Sequence, residues 1–487
     1  MKKATKKTFL RSAAIAAAVT GASAAHAVHV NSDGLGEVLL YPYYTVQNGF
    51  VTAVHIVNTT DQVKAVKVRF LEGKNSKEVL DFNLYLSPFD VWTGSVVPDA
   101  ANGAKLISSD TSCIAPNQIP AGGVAFRNFE FASDPASSDP NRRAEGYVEV
   151  IEMGTVFDSA DPSFKPATWA THTAAGVPTD CGKLATADFN GSIANNISSP
   201  TGGLFGSGHL VSVEGGVRTS YDPVALDDFS DSPIWNTSGS TAPSLTDVFP
   251  PTADILDGNQ VVQFAAAPGR EIDAVSAVLT QDVIYNEYTI DAGRESQTDW
   301  IVTFPTKRFY VNVANPAGDS TQPFQNPWVA GTPTEPNLTS CHNVSFYYYN
   351  REEAGQSPGQ GDFSPTPIIP GFALCNEVNT LTLYRNGTDA DDGRLFGAVS
   401  TAAALAIDNF EAGWMAMSFA SGSDAQGPYG SIVSSDGVTV YGLPVIGFSA
   451  SRNVNKVDVQ IDGLNVYSAV MGSNVHKGEK DIVPETP

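Results

Sequence analysis

Aromatic rings, clustered carboxylates, histidines and cysteines are the residues of this chain whose types and spacing could do chemistry. Tyr347-Tyr-Tyr349 is the densest aromatic run, and Trp414 sits in a second apolar segment. Side chains alternate along a strand, so Tyr347 and Tyr349 share one face while Tyr348 takes the other. Rings presented together can carry a sugar or another flat ligand, whereas tyrosines that only pack a sheet keep their hydroxyls wet. Tyr347, Tyr349 and Trp414 are therefore the candidate ligand-binding residues.

Two acidic clusters stand out, Asp227-Asp228-Phe-Ser-Asp231 and Asp389-Ala-Asp391-Asp392-Gly393. Calcium takes several oxygens from a tight loop, which makes Asp389, Asp391 and Asp392 the candidate metal ligands and calcium the candidate ion. With Gly393 at the sixth loop position, Thr388 and Ala390 fall where carboxylates belong, so a solvated turn competes with the metal reading. Adjacent carboxylates do not make a glycosidase pair, which needs two carboxyls facing each other across a cleft.

No catalytic residue is assigned. Gly447-Phe-Ser449-Ala-Ser451 lacks the second glycine of a nucleophile elbow. His55 lies in an alternating segment and reads as a packed or surface imidazole, while His209, in a Gly-rich stretch, is the histidine around which a hydrolase site would be sought. No phosphate-binding loop, dinucleotide fingerprint or zinc-protease helix occurs. Cys113, Cys181, Cys341 and Cys375 form no Cys-x-x-Cys and so favour two disulfides. Sequential pairing, Cys113 with Cys181 and Cys341 with Cys375, closes each loop within one half of the chain.

These groups must be positioned by strands. Only 16% of the residues are charged, with 43 Gly and 31 Pro, a mix for short strands and turns rather than helical bundles. Val66, Val68 and Phe70 alternate with Lys67 and Arg69, and Leu80, Phe82, Leu84 and Leu86 with Asp81, Asn83 and Tyr85, as in a sheet with one buried face. The expected fold is all-β, with two immunoglobulin-like β-sandwich regions and a long irregular insertion. Its divisions are a signal peptide (1–27), an N-terminal sandwich (28–157), an irregular insertion (158–257), a C-terminal β-rich domain (258–465) and a polar tail (466–487). Within the C-terminal part a short helix capped by Asp273 and a strand over Arg308–Val313 are expected, followed by a Pro-rich connector, Asn315–Asn337.

The address comes from the start of the chain. Lys2, Lys3, Lys6, Lys7 and Arg11 precede an apolar run too short to span a bilayer, and Ala25-His-Ala27 offers a cleavage site. That is the layout of a bacterial secretory signal peptide. Removing five basic residues takes the net charge from −24 to −29. Nucleic acid and anionic lipid are poor partners for such a chain. No later run is long enough for a transmembrane helix.

The strings Leu39-Leu-Tyr-Pro-Tyr-Tyr-Thr45, Val79-Leu-Asp-Phe-Asn-Leu-Tyr-Leu-Ser-Pro88, Thr298-Asp-Trp-Ile-Val-Thr-Phe-Pro-Thr-Lys307 and Gly442-Leu-Pro-Val-Ile-Gly-Phe448 resemble a family of secreted bacterial proteins labelled hypothetical or cell-surface. The resemblance implies a β-rich extracytoplasmic fold and brings no activity or ligand. The expected function is that of a non-enzymatic structural or adhesive protein at the cell surface or outside the cell, with the periplasm as the other compartment. Self-assembly or envelope and matrix components are the expected partners. A glycan- or small-ligand-binding protein is the first alternative and a secreted hydrolase the second.

Overall fold

The computed structural model describes residues 26–134, 137–311, 323–324, 340–356, 372–407, 410–419, 422–424, 427–461 and 464–484. Most of the signal segment and of the Asn315–Asn337 connector lies outside them. Strands account for 48% and helices for 12%, arranged in several sheets, so the fold is an all-β sandwich fold.

Two large sheets build the first half. Sheet I has eight strands. Its path runs His29–Val30, Val224–Asp227, Val38–Thr45, Glu145–Val156, Val63–Glu72, Glu78–Leu86, Cys113–Ala115, and Ile197–Ser198 also pairs with Glu145–Val156. Sheet II runs Val217–Tyr221, Leu204–Ser212, Phe50–Asn58, Val91–Asp99, Gly103–Ile107, Val124–Ala125. The alternation read in the sequence sets their packing: Val66, Val68, Phe70 and Leu84 meet Val54, Ile56, Trp92 and Val96 in one buried cluster. Together these sheets hold more strands than the seven to nine of an immunoglobulin domain.

The stretch 158–257 differs from the irregular insertion expected. Its second part supplies strands Leu204–Ser212 and Val217–Tyr221 to sheet II and Val224–Asp227 to sheet I. Its first part holds helices Pro166–Ala170 and Cys181–Phe189, where Asp180 caps the latter by accepting from Lys183 N. Trp169, Leu184 and Ala187 of these helices pack on Val63, Ala65, Tyr85 and Met153. Short strands and loops carry too little periodicity to be seen in such a segment.

This covering also corrects the picture of a sheet with one buried face. Lys67 is fully buried, pairing with Asp81 and donating to Ser240 O at 2.7 Å, and Arg69 donates to Glu78 at 2.7 Å. Lys64 and Glu152, both fully buried, meet at 2.7 Å. A buried charge persists only when paired and hydrogen-bonded, and each of these is.

The second half repeats the two-sheet plan. Sheet III has six strands along Gly355–Gln356, His342–Asn350, Ala412–Phe419, Val283–Thr289, Lys477–Glu479, with Ala373–Leu374 also paired to His342–Asn350. Sheet IV runs Ala402–Ile407, Val378–Arg385, Gln297–Thr303, Ile446–Ile461, Leu464–Val475, and its first pair is parallel. The two halves share their interiors. All eight residues of Val38–Thr45 are buried: Leu39, Tyr41 and Tyr43 join the core of the first half, whereas Val38 and Leu40 join Trp300, Val302, Phe346 and Tyr348 of the second.

Three local expectations change. The polar tail is stranded, since Leu464–Val475, Lys477–Glu479 and Asp481–Val483 all pair. Backbone hydrogen bonding can fix polar residues that hydropathy leaves loose. Arg308–Val311 is a helical turn rather than a strand, closed by Tyr310 N and Val311 N on Lys307 O, and it points the Tyr310 hydroxyl at Asp273 Oδ1 (2.7 Å). Asp273 lies inside helix Ile272–Leu279 instead of capping it, because its carboxylate is held by Arg270 and Tyr310.

Candidate functional site

The aromatic candidates converge. In sheet III the antiparallel register places Tyr349 beside Trp414 and Trp414 beside Glu287. One step along, Tyr347, Ala416 and Tyr285 line up in the same way. Directly opposed residues project from the same face, so Tyr347, Tyr349, Trp414, Tyr285 and Glu287 share one surface. The alternate residues Phe346, Tyr348, Met415, Met417, Ile284 and Tyr288 fill the core behind it. That apolar backing fixes the outer row, and Trp414 remains 40% exposed.

Tyr349 and Trp414 stack at 4.9 Å between centroids with 16° between planes. Tyr347 meets Trp414 edge-on at 5.9 Å, and Tyr285 lies 6.3 Å from Trp414. Polar groups orient the rim. The Tyr285 hydroxyl donates to Glu479 (2.8 Å), and burial, then Tyr347 and Glu479, raise its pKa, so it remains a protonated donor. Asn474 Nδ2 donates to Glu287 Oε1 (2.9 Å), while Trp300 Nε1 donates to Glu287 O (3.2 Å) from sheet IV behind.

A groove of about 600 Å³ opens at the Tyr349–Trp414 end of this row, lined by Glu287, Thr289, Tyr349, Asn350, Arg351 and Trp414. Its turn is set locally, since Asn350 Oδ1 accepts from Glu352 N (3.0 Å) and Ala354 N (2.8 Å). Gly355 follows, where a Cβ would collide with the Tyr349 ring. The groove falls in the size range of small-molecule sites, and its lining combines the Tyr349 and Trp414 rings with carboxylate, amide and guanidinium groups.

The other candidates assemble differently. Asp389 Oδ1 accepts from Asp391 N (3.0 Å) to cap the turn Ala390–Gly393, and Asp391 pairs with Arg394 (3.1 Å), so the acidic run is a capped surface turn. Among the described residues no group of three or more His, Cys, Asp or Glu side chains is placed to hold a metal ion. The cysteines pair sequentially, Cys113–Cys181 and Cys341–Cys375, and none is free. The first bridge ties helix Cys181–Phe189 to the edge of sheet I. His209 lies on a strand of sheet II with its ring 4.8 Å from that of His55. Burial, then His55, hold its pKa below the ordinary value.

A Ser–His–Asp grouping does exist, at Ser87, His172 and Asp90. The Ser87 hydroxyl (2.7 Å) and Asp90 carboxylate (3.5 Å) both approach His172 Nδ1, while Nε2 faces Thr111, whose hydroxyl donates to Gly176 O. A relay needs the carboxylate and the nucleophile on opposite ring nitrogens. With both on one nitrogen, the grouping is a clasp for the 171–179 loop.

Sequence reasoning missed Tyr285 and Glu287. Their own alternation was readable, but nothing in one sequence says that their strand lies beside Trp414. No family model matches the chain, and neither a curated protein nor a solved structure matches it.

Proposed function

We propose that the protein is a non-enzymatic, exported adhesive protein that holds glycans on the aromatic row of sheet III. The observation that carries this reading is the shared, partly exposed face of Tyr347, Tyr349, Trp414 and Tyr285 beside a groove edged by Glu287, Asn350 and Arg351. A sugar ring has one apolar C–H face and a rim of hydroxyls. The first fits the exposed aromatic surface and the second the carboxylate, amide and guanidinium groups. Two disulfides are compatible with an oxidising, extracytoplasmic compartment. No helix among the described residues is long and apolar enough to cross a membrane.

A glycan array followed by calorimetry on the retained sugars tests this. Micromolar binding that falls at least tenfold in both Trp414→Ala and Tyr349→Ala is expected. Retention of no glycan, or equal retention by Trp414→Ala, refutes it.

A further inference from the structure

Away from the aromatic row, a cavity of about 230 Å³ lies between the two halves, where the end of sheet I meets helix Ile272–Leu279 and sheet IV. Well-packed interiors leave few voids larger than a water molecule. Its wall is aliphatic: Val224 from sheet I, Val278 and Leu279 from the helix, Ile284 from sheet III, and Val445 and Ile446. Its two aromatic side chains, Tyr221 and Phe448, stack on each other at 4.8 Å and 14°, which engages a face of each ring.

The polar groups are few and differ in what they can offer. His476 has both nitrogens engaged, Nε2 with Ile301 O (3.0 Å) and Nδ1 with Asn286 Nδ2 (3.0 Å), and burial lowers its pKa to about 4, so it is uncharged at neutral pH. The Tyr221 hydroxyl is committed to Tyr43 O. Asp222 and Gln281 remain, and Asp222 is exposed, which places it at the mouth with the exposed Val30 and Val475.

We infer that this cavity binds one medium-chain amphiphile whose head group donates hydrogen bonds, such as an alcohol or a primary amide, and that it rejects a free carboxylate. The chain length follows from the volume. A dry cavity of about 150 Å³ accepts benzene. The cavity here, at about 230 Å³, takes on the order of nine carbons by the same measure. The aliphatic wall favours a chain over an aromatic guest. The head-group preference follows from the Asp222 carboxylate at the mouth, which accepts from a hydroxyl or amide and repels an anion.

The test is calorimetry on the full chain at neutral pH with hexanol, octanol, nonanol, dodecanol and octanoate. The expected result is one site, with affinity rising about fourfold per methylene and levelling off near nine carbons. Octanoate should bind at least tenfold more weakly than octanol, and Asp222→Asn should narrow that gap. Val224→Phe, which fills the wall, should weaken octanol at least tenfold. Should that variant fail to fold, the chain-length series decides alone. Affinity that climbs unbroken to dodecanol, equal binding of octanol and octanoate, or no saturable binding overturns the inference.

Discussion

Replacing Glu145 by alanine tests whether the two halves stand as one body. Glu145 is fully buried on sheet I, and its carboxylate reaches across to the loop between sheet IV strands Val378–Arg385 and Ala402–Ile407. Oε1 accepts from Val399 N (2.9 Å) and Ser400 N (3.2 Å), while Oε2 takes the hydroxyls of Thr401 and Tyr43. Burial raises its pKa, and these donors pull the other way. Removing the side chain strands the buried Ser400 N and takes one bond each from the hydroxyls of Thr401, which keeps Thr380 (2.9 Å), and Tyr43, whereas half-exposed Val399 can turn its N–H to water. At about 1–3 kcal/mol for the stranded donor and about 0.5–1.5 kcal/mol for each hydroxyl bond lost, the expected loss is about 4 kcal/mol. Glu145→Gln keeps one acceptor and should lose roughly half of that. Urea unfolding followed in parallel by far-ultraviolet circular dichroism and tryptophan fluorescence measures it. Both signals should shift together to lower urea. A loss under about 1 kcal/mol, or a shift confined to one signal, refutes the claim of a shared interior.

Three further outcomes are expected. Replacing Cys341 and Cys375 by serine frees a 34-residue span, slightly shorter in its effect than the 68-residue Cys113–Cys181 span. Chain entropy sets the first loss at about 4 kcal/mol and the second a little higher, and calorimetry of each double variant checks the order. His476 titrates at about 4 in the folded chain against 6.5 when free, so the unfolded state binds its proton first and stability falls as pH drops from 6.5 towards 4. The slope from this group is at most about 1.4 kcal/mol per pH unit. His476→Gln should flatten it in urea melts across that window. Gly413→Ala would drive a Cβ into Tyr349 O, prising apart the strands under the aromatic row. About 1–3 kcal/mol of stability should be lost. Near-ultraviolet circular dichroism of the stacked Tyr349–Trp414 pair should weaken with it.

What was legible in the sequence was whatever depends on near neighbours. Alternation placed Tyr347 and Tyr349 opposite Tyr348 and set Val66, Val68 and Phe70 towards the core, because a strand's period of two is a local property. Cysteine order gave both bridges. What stayed hidden depends on distant residues. Lys67 and Arg69 read as a solvated face, and their burial depends on partners far along the chain, Ser240 for Lys67 and Glu149 for Arg69. Arg308–Val313 reads as a strand because so short a segment shows no period, and the helical turn over Arg308–Val311 is held by Tyr310 reaching back to Asp273. The acidic run around Asp391 reads as a metal loop or a solvated turn, and a backbone cap and Arg394 engage its carboxylates as in the second. Tyr285 and Glu287 were missed because strand adjacency is a tertiary fact.

The order in which a chain becomes available gives the terminal strands a role in time. Synthesis delivers the N-terminus first. Val38–Thr45 must wait for Val224–Asp227, and Val283–Thr289 receives its second neighbour, Lys477–Glu479, only after the other strands of sheet III have emerged. Until then each sheet carries an open edge that another chain could pair with. A chain ending before Lys477 would keep the aromatic row and its core backing and leave that edge of sheet III open from Val283 to Tyr285. Lys477–Glu479 is thus the strand that closes this edge of sheet III.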